Sequence, residues 1–132
     1  VSSTSLQFSE DGTGSIEVNV DVTNTSAVAG KEVVQFYVSP KTAPRLARPQ
    51  RELKGWDKVL VRPGETATAS TTLDWVSVAY WDDKRHEWVV DGDAAFEVIA
   101  AKHSRDVGVA AEFSVNNPST DFKASRFTVV AA

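Results

Sequence analysis

The stretch Gly30-Lys31-Glu32-Val33-Val34-Gln35-Phe36-Tyr37-Val38-Ser39 decides the fold class. Side chains along a β-strand alternate between two faces. Here both alternating sets carry β-branched or aromatic residues: Val34, Phe36 and Val38 on one parity, Val33 and Tyr37 on the other. That pattern predicts a strand covered on both sides, or a central strand beside a second layer. Pro40 ends it, because proline has no N–H to give to a ladder. The basic segment through Arg48-Pro49-Gln50-Arg51-Glu52-Leu53-Lys54-Gly55-Trp56 leads to a second strand at Lys58-Val59-Leu60-Val61. Pro63-Gly64 then turns the chain into a third.

Outward from this stretch the strand signals continue. Ile16, Val18, Val20 and Val22 alternate with Glu17, Asn19 and Asp21, the clearest period-two pattern in the chain, which predicts one buried and one wet face. Leu6 and Phe8 alternate in the same way within a polar leading segment, residues 1–13. Thr66–Leu73 is rich in threonine and suits a strand near a sheet edge. Asp74 is placed to cap a short helical turn through Val78. Val78–Trp81 and Trp88–Val90 flank a charged hairpin tip, Asp82-Asp83-Lys84-Arg85-His86. Phe96–Ala101 and a last strand near Val107–Val115 follow. Many short strands with turn signals between them predict an all-β antiparallel sandwich. Seven to eight strands over residues 14–115 match the immunoglobulin-like or fibronectin type III-like plan. From Asn116 to Ala132 the pattern is lost, and these residues are expected to form a tail, with Phe122, Phe127, Val129 and Val130 as its anchors.

Composition narrows the function classes. The chain has 132 residues, enough for one domain that buries about two-thirds of its unfolded surface without a staple. A net charge of −4 argues against a nucleic-acid footprint. No apolar run reaches the length of a membrane span. Cysteine is absent, which excludes a disulfide scaffold, a thiolate metal site and a cysteine nucleophile. A chain opening Val1-Ser2-Ser3 without methionine is expected to be a portion or processed form of something longer.

The ordered blocks Val-Val-Gln-Phe-Tyr-Val-Ser (33–39), Arg-Pro-Gln-Arg-Glu-Leu-Lys-Gly-Trp (48–56) and Arg-Pro-Gly-Glu (62–65) resemble the fibronectin type III-like C-terminal domain of glycoside hydrolase family 3 enzymes, mostly β-glucosidases and β-xylosidases. The resemblance continues through Leu73-Asp74, Tyr80-Trp81-Asp82, Glu87–Val90, Phe96-Glu97-Val98 and Ser104-Arg105-Asp106. Asp91–Ala94 and Ala100–His103 depart from the family's Pro-Gly-acid turn and Gly-Ser-rich run. The resemblance implies a non-catalytic accessory domain that braces the catalytic domains of a secreted, extracellular or periplasmic parent, with a cytoplasmic parent left open. It places the nucleophile and the acid/base residue in upstream domains, and it implies no cofactor.

The residues themselves agree with that expectation. Glycosidases pair two carboxylates across the scissile bond. Asp82, Asp83, Asp91 and Asp93 are available, but as turn residues they suit Asx geometry better. His86 and His103, 17 residues apart, lack a third ligand at metal spacing. No serine sits in a nucleophile elbow. No catalytic or metal residue is therefore assigned. The resemblance implies that the segment holding Arg45, Arg48, Pro49 and Arg51, with Trp56, packs toward the catalytic domains as a candidate domain interface; a solvated loop is the competing reading, and guanidinium forks suit the carboxylates and carbonyls of such an interface. A stand-alone polysaccharide-binding module is the alternative, using Trp75 and Trp88 as stacking platforms; an adhesion or scaffold sandwich is a third reading. The resemblance implies that Trp56 and Trp81, in blocks where the family packs an aromatic inward, lie in the core or in a seam with other domains. Asn24-Thr25-Ser26 is an N-glycosylation acceptor sequence, with a turn-capping Asn24 as the competing reading.

Overall fold

The computed structural model describes residues 4–9, 16–41, 49–74, 77–84, 86–89, 95–116 and 128–130. Ten strands run through them: β1 (Thr4–Ser9), β2 (Ile16–Thr23), β3 (Gly30–Pro40), β4 (Glu52–Val61), β5 (Thr66–Leu73), β6 (Tyr80–Asp82), β7 (Glu87–Val89), β8 (Ala95–Ala101), β9 (Val109–Asn116) and β10 (Thr128–Val130). Six of them form one sheet in the order β10-β1-β9-β8-β3-β4. A second sheet pairs β2 with β5, and β6 with β7 forms a hairpin. Every pairing is antiparallel except β1 with β9. The ten strands exceed the seven to eight expected, because the leading segment and the tail each add one: β1 lies along β9, and β10 pairs with β1.

β3 sits inside the wide sheet, between β4 and β8. Its two apolar parities have different neighbours. Val34, Phe36 and Val38 face the second sheet. They meet Ile16 of β2, Ala69 and Leu73 of β5, Phe96 and Val98 of β8 and Phe113 of β9 in the main core. Phe36, Ala69 and Leu73 have no exposed surface at all. Phe96 and Phe113, directly opposite on β8 and β9, stack with centroids 5.6 Å apart. On the other parity Tyr37 joins Ile99 and Ala101 in a small separate cluster, while Val33 stays exposed. β2 follows its alternation: Ile16 is buried, Val18, Val20 and Val22 pack on the core, and Glu17, Asn19, Asp21 and Thr23 face water.

β4 departs from expectation in length. It begins at Glu52, not at Lys58, so Leu53-Lys54-Gly55-Trp56 is strand. The register shifts here: Phe36 faces Gly55, but Tyr37 faces Leu53, leaving Lys54 as an extra residue. Such a bulge bends and twists a strand. It carries β4 onto β5, where Gly55 lies against Thr71. A methyl group at Gly55 would overlap Thr71 Oγ1 and sit 3.0 Å from its Cβ. The two sheets meet at this rim, and Asp57 fastens them: its carboxylate accepts the N–H of Ser70 on β5 (2.9 Å) and of its neighbour Lys58 (2.8 Å). At the next turn Gly64, at φ 72°, lets the Glu65 N–H reach the Arg62 carbonyl (3.0 Å), as a Pro-Gly turn requires.

Replacing Gly55 by Ala is expected to cost about 1–3 kcal/mol through overpacking. Adding Thr71→Ala should recover part of that loss. Chemical denaturation of the four members of this cycle checks both outcomes.

Candidate functional site

One acidic residue of the hairpin serves the backbone. Asp82 is buried, and its Oδ1 accepts the Lys84 N–H (3.0 Å), closing the turn between β6 and β7. His86 completes that turn in the left-handed region, at φ 53°. Before the hairpin, the Ser77 N–H reaches the Asp74 carbonyl (3.1 Å), and the Ser77 hydroxyl accepts the Asp74 N–H (3.2 Å); Trp75 and Val76, the first residues of the expected helical turn, lie outside the described residues. His103 lies elsewhere, in the β8–β9 loop, with Nδ1 accepting the Arg105 N–H (3.3 Å). Among the described residues no three His, Asp or Glu side chains gather as metal ligands. Asp91 and Asp93 lie outside the described residues.

Arg51 is placed differently from the interface expectation. Its Nη1 donates to the carbonyls of Ser104 (3.0 Å) and Asp106 (2.7 Å), and its guanidinium carbon lies 5.4 Å from the Tyr37 ring centroid. The fork thus covers the Tyr37–Ile99–Ala101 cluster and ties the β8–β9 loop to it. Asp106 organises the same loop from within, accepting the N–H groups of Lys102 (2.9 Å) and Gly108 (3.3 Å). The hydrogen bond from Lys102 leads in holding the Asp106 carboxyl below its usual pKa. The Ser-Arg-Asp block of the sequence is therefore a loop clasp. Arg45 and Arg48 lie outside the described residues, and Pro49 is exposed. Beyond the end of β3, beside the start of β8, Lys41 pairs with Glu97 (2.8 Å), and that hydrogen bond raises the lysine pKa.

Asn24 is a second clasp. Its Nδ2 donates to the carbonyls of Val28 (2.8 Å) and Val61 (2.9 Å), and its Oδ1 accepts from the backbone N–H (2.9 Å) and the hydroxyl (2.7 Å) of Ser26. Its own N–H and carbonyl bond to Glu65 and Gly64. One side chain thus joins the β2–β3 loop to the end of β4. An N-linked glycan replaces one Nδ2 hydrogen, so attachment there breaks one of the two carbonyl bonds.

The two outer faces of the sandwich differ in kind. On the β2–β5 sheet the outward residues are polar and paired across strands: Thr23 with Thr66 (2.8 Å), Asp21 with Thr68 (2.9 Å) and Asn19 with Ser70 (2.6 Å). On the wide sheet, the register places Leu53, Trp56, Lys58 and Leu60 of β4 outward, beside Tyr37, Gln35, Val33 and Lys31 of β3. Leu53, Trp56 and Leu60 are exposed by 52%, 65% and 55%. Trp56 is thus outside the core, which corrects one half of its expectation: it shares the outward parity of Lys58 and Leu60, while Gly55 faces inward opposite Phe36. Trp81 is also outside the core. It pairs with Trp88 across the hairpin, edge to face, with centroids 5.6 Å apart and each ring about half exposed. Trp75 lies outside the described residues. Alternation puts Trp56, Lys58 and Leu60 on one side of β4 but would put Leu53 on the other, and the bulge at Lys54 brings Leu53 onto that surface.

The family profile of the fibronectin type III-like domain matches residues 32–104, more than half of the chain. The chain belongs to this family. Among curated relatives, the domain is 40% identical over 117 residues to thermostable β-glucosidase B of Acetivibrio thermocellus. That match covers 89% of this chain and 15% of the relative. It is 42% identical over 105 residues to an exo-α-(1→6)-L-arabinopyranosidase of Bifidobacterium breve, covering 79% of this chain and 14% of the relative. Among solved structures, the glycoside hydrolase family 3 β-glucosidase of Bifidobacterium adolescentis matches with a TM-score of 0.71 and 36% identity, over 84% of this chain and 16% of that one. The fibronectin type III-like domain thus spans about one-seventh of the length of the hydrolases it resembles.

Two substitutions test the clasps. Arg51→Ala is expected to cost about 1.5–3 kcal/mol, the range for hydrogen bonds from a charged donor, with Arg51→Lys restoring little, since a single ammonium lacks the flat fork. Urea denaturation of both variants decides this. For Asp106, a native pKa below the unfolded one gives stability that is present above about pH 4 and is lost as pH falls through the native value. Asp106→Asn should lower the melting temperature at pH 7 and flatten its decline between pH 5 and pH 3.

Proposed function

We propose that this chain is a non-catalytic accessory domain of a longer β-glucosidase-type glycoside hydrolase, bracing its catalytic domains and helping to shape the rim of the substrate cleft. One observation carries this reading. Closely similar copies of the domain occur, as about one-seventh of the chain, in a protein named a β-glucosidase and in one named an arabinopyranosidase. The domain is about 40% identical to both, although their names specify different sugars. Such similarity to hydrolases named for different sugars is what a part that does not select the sugar would show.

The side chains support the same reading. Glycoside hydrolysis requires two carboxyl groups facing one another across a space that holds the sugar. Asp57, Asp82 and Asp106 instead accept backbone N–H groups of their own loops and strands. Arg51 and Asn24 hold loops in place. These devices stiffen the sandwich, and stiffness is what a brace needs.

The experiment is a comparison of the full-length hydrolase carrying this domain with the same enzyme lacking residues 1–132. Deletion is expected to lower kcat/KM on an aryl glucoside at least tenfold, or to lower the inactivation temperature by several degrees. An unchanged enzyme on both measures would sink the proposal. So would turnover by the 132-residue chain alone that is lost in Asp83→Asn. Cello-oligosaccharides added to the chain alone are expected to leave its tryptophan fluorescence unchanged.

A further inference from the structure

We infer that the outer face of β3 and β4, formed by Leu53, Trp56, Leu60 and Val33, is the surface on which the domain seats against the remainder of its own parent chain. The inference rests on the accessory-domain reading and says which face does the bracing.

The carrying observation is the contrast between the two outer faces. A sandwich that meets water on both sides has polar outward positions on both sheets. The β2–β5 face meets that condition: Glu17, Asn19, Asp21, Thr23, Thr66 and Thr68 point outward, and hydroxyl, amide and carboxylate groups pair across the strands. The β3–β4 face does not. Three large apolar side chains on one strand are each more than half exposed, with Val33 on the neighbouring strand exposed by 39%. Single exposed apolar residues need no explanation, but a contiguous set on one sheet face marks an interaction surface. Trp is also the residue most often found to dominate such contacts.

The backbone gives a second reason. β4 is the last strand of the wide sheet. A long, exposed, apolar edge strand is an aggregation hazard unless something covers it. Within the domain, Asp57 and the Gly55–Thr71 contact tie the inner rim of β4 to β5, leaving its outer side chains without cover.

The occupant follows from chain length. This domain is about 14–16% of the hydrolases it resembles, so the rest of such a chain is a covalently attached partner several times its size. Attachment raises the effective concentration of that partner to the millimolar range for a short linker, far above that of any free ligand. Lys31 and Lys58 lie within the apolar set, opposite Leu60 and Val33. The complementary surface is therefore mostly apolar, with carboxylates or carbonyls facing these two ammonium groups. Arg51 is spent on its own loop and adds nothing here.

The test uses the full-length hydrolase and introduced thiols, since the domain has no cysteine. Leu60→Cys places a thiol within the proposed seat while keeping Trp56. Thr68→Cys places one on the polar face. Maleimide labelling, mapped by peptide mass, is expected to be at least tenfold slower at position 60 than at position 68. Adding Trp56→Ser to the Leu60→Cys enzyme is expected to speed labelling at least fivefold. Equal rates at 60 and 68 would overturn the inference while leaving the deletion result, and with it the accessory-domain reading, untouched. Protection at 60 that disappears on dilution to nanomolar enzyme would assign the face to a second copy instead. Protection that appears only with added cello-oligosaccharide would assign it to a saccharide. Either result overturns the parent chain as occupant.

Discussion

The structure depends on a mismatch in width. A two-stranded sheet has to cover the centre of a six-stranded one, and the buried apolar surface between them is the main favourable contribution to folding. Phe36 lies at the middle of that contact with no exposed surface, under Ala69 and Leu73. Two strands cannot reach across six, so the wide sheet has to bend toward them at its rim. The bulge at Lys54 does this for β4, and Gly55 allows the approach because it has no side chain to hold the backbones apart. Asp57 then satisfies the outward N–H of Ser70 on β5, a group that would otherwise stand at an open edge.

The same economy appears at the loops. Asn24 uses both amide hydrogens and its carbonyl oxygen to join the end of β2 to the end of β4. Arg51 joins the start of β4 to the β8–β9 loop while lying over Tyr37. In each case one polar side chain replaces what a larger core would supply through packing. The polar groups are directed at main-chain carbonyls and N–H groups, most of them in loops, so each clasp orders a loop against the strands.

Much of this was legible in the residues. The alternation from Ile16 to Val22 gives β2 and its wet face, and the two apolar parities of Val33–Val38 give a strand buried on one side and partly covered on the other. Pro63-Gly64 gives its turn. What escaped has a common cause. Leu53 reads as an inward residue, in step with Gly55, Asp57 and Val59, only if the strand keeps a strict period of two. A single extra residue at Lys54 reverses that assignment for Leu53. Trp56 keeps the period of Lys58 and Leu60, and its outward place follows once β4 is known to begin at Glu52. Arg51 reads as a free cation because its partners are main-chain carbonyls fifty residues away, which no residue type announces. The alternation of Leu6 and Phe8 announced β1, and β10 was hidden for a different reason. A short strand at a sheet edge needs few apolar residues, and Thr128–Val130 carries little more pattern than a loop.

The departures from local pattern also bear on function. A bulge placed next to an exposed tryptophan satisfies two requirements with one residue. It closes the sandwich inward through Gly55, and it sets Leu53 and Trp56 on the same outward surface, which a regular strand would split between faces because their separation is odd. Removing the bulge would not merely loosen the rim. It would return one of these side chains to the core side and leave the other isolated. The closure of the core and the assembly of the outer apolar face are thus one geometric event, and a domain with a well-closed core carries that face in a fixed shape.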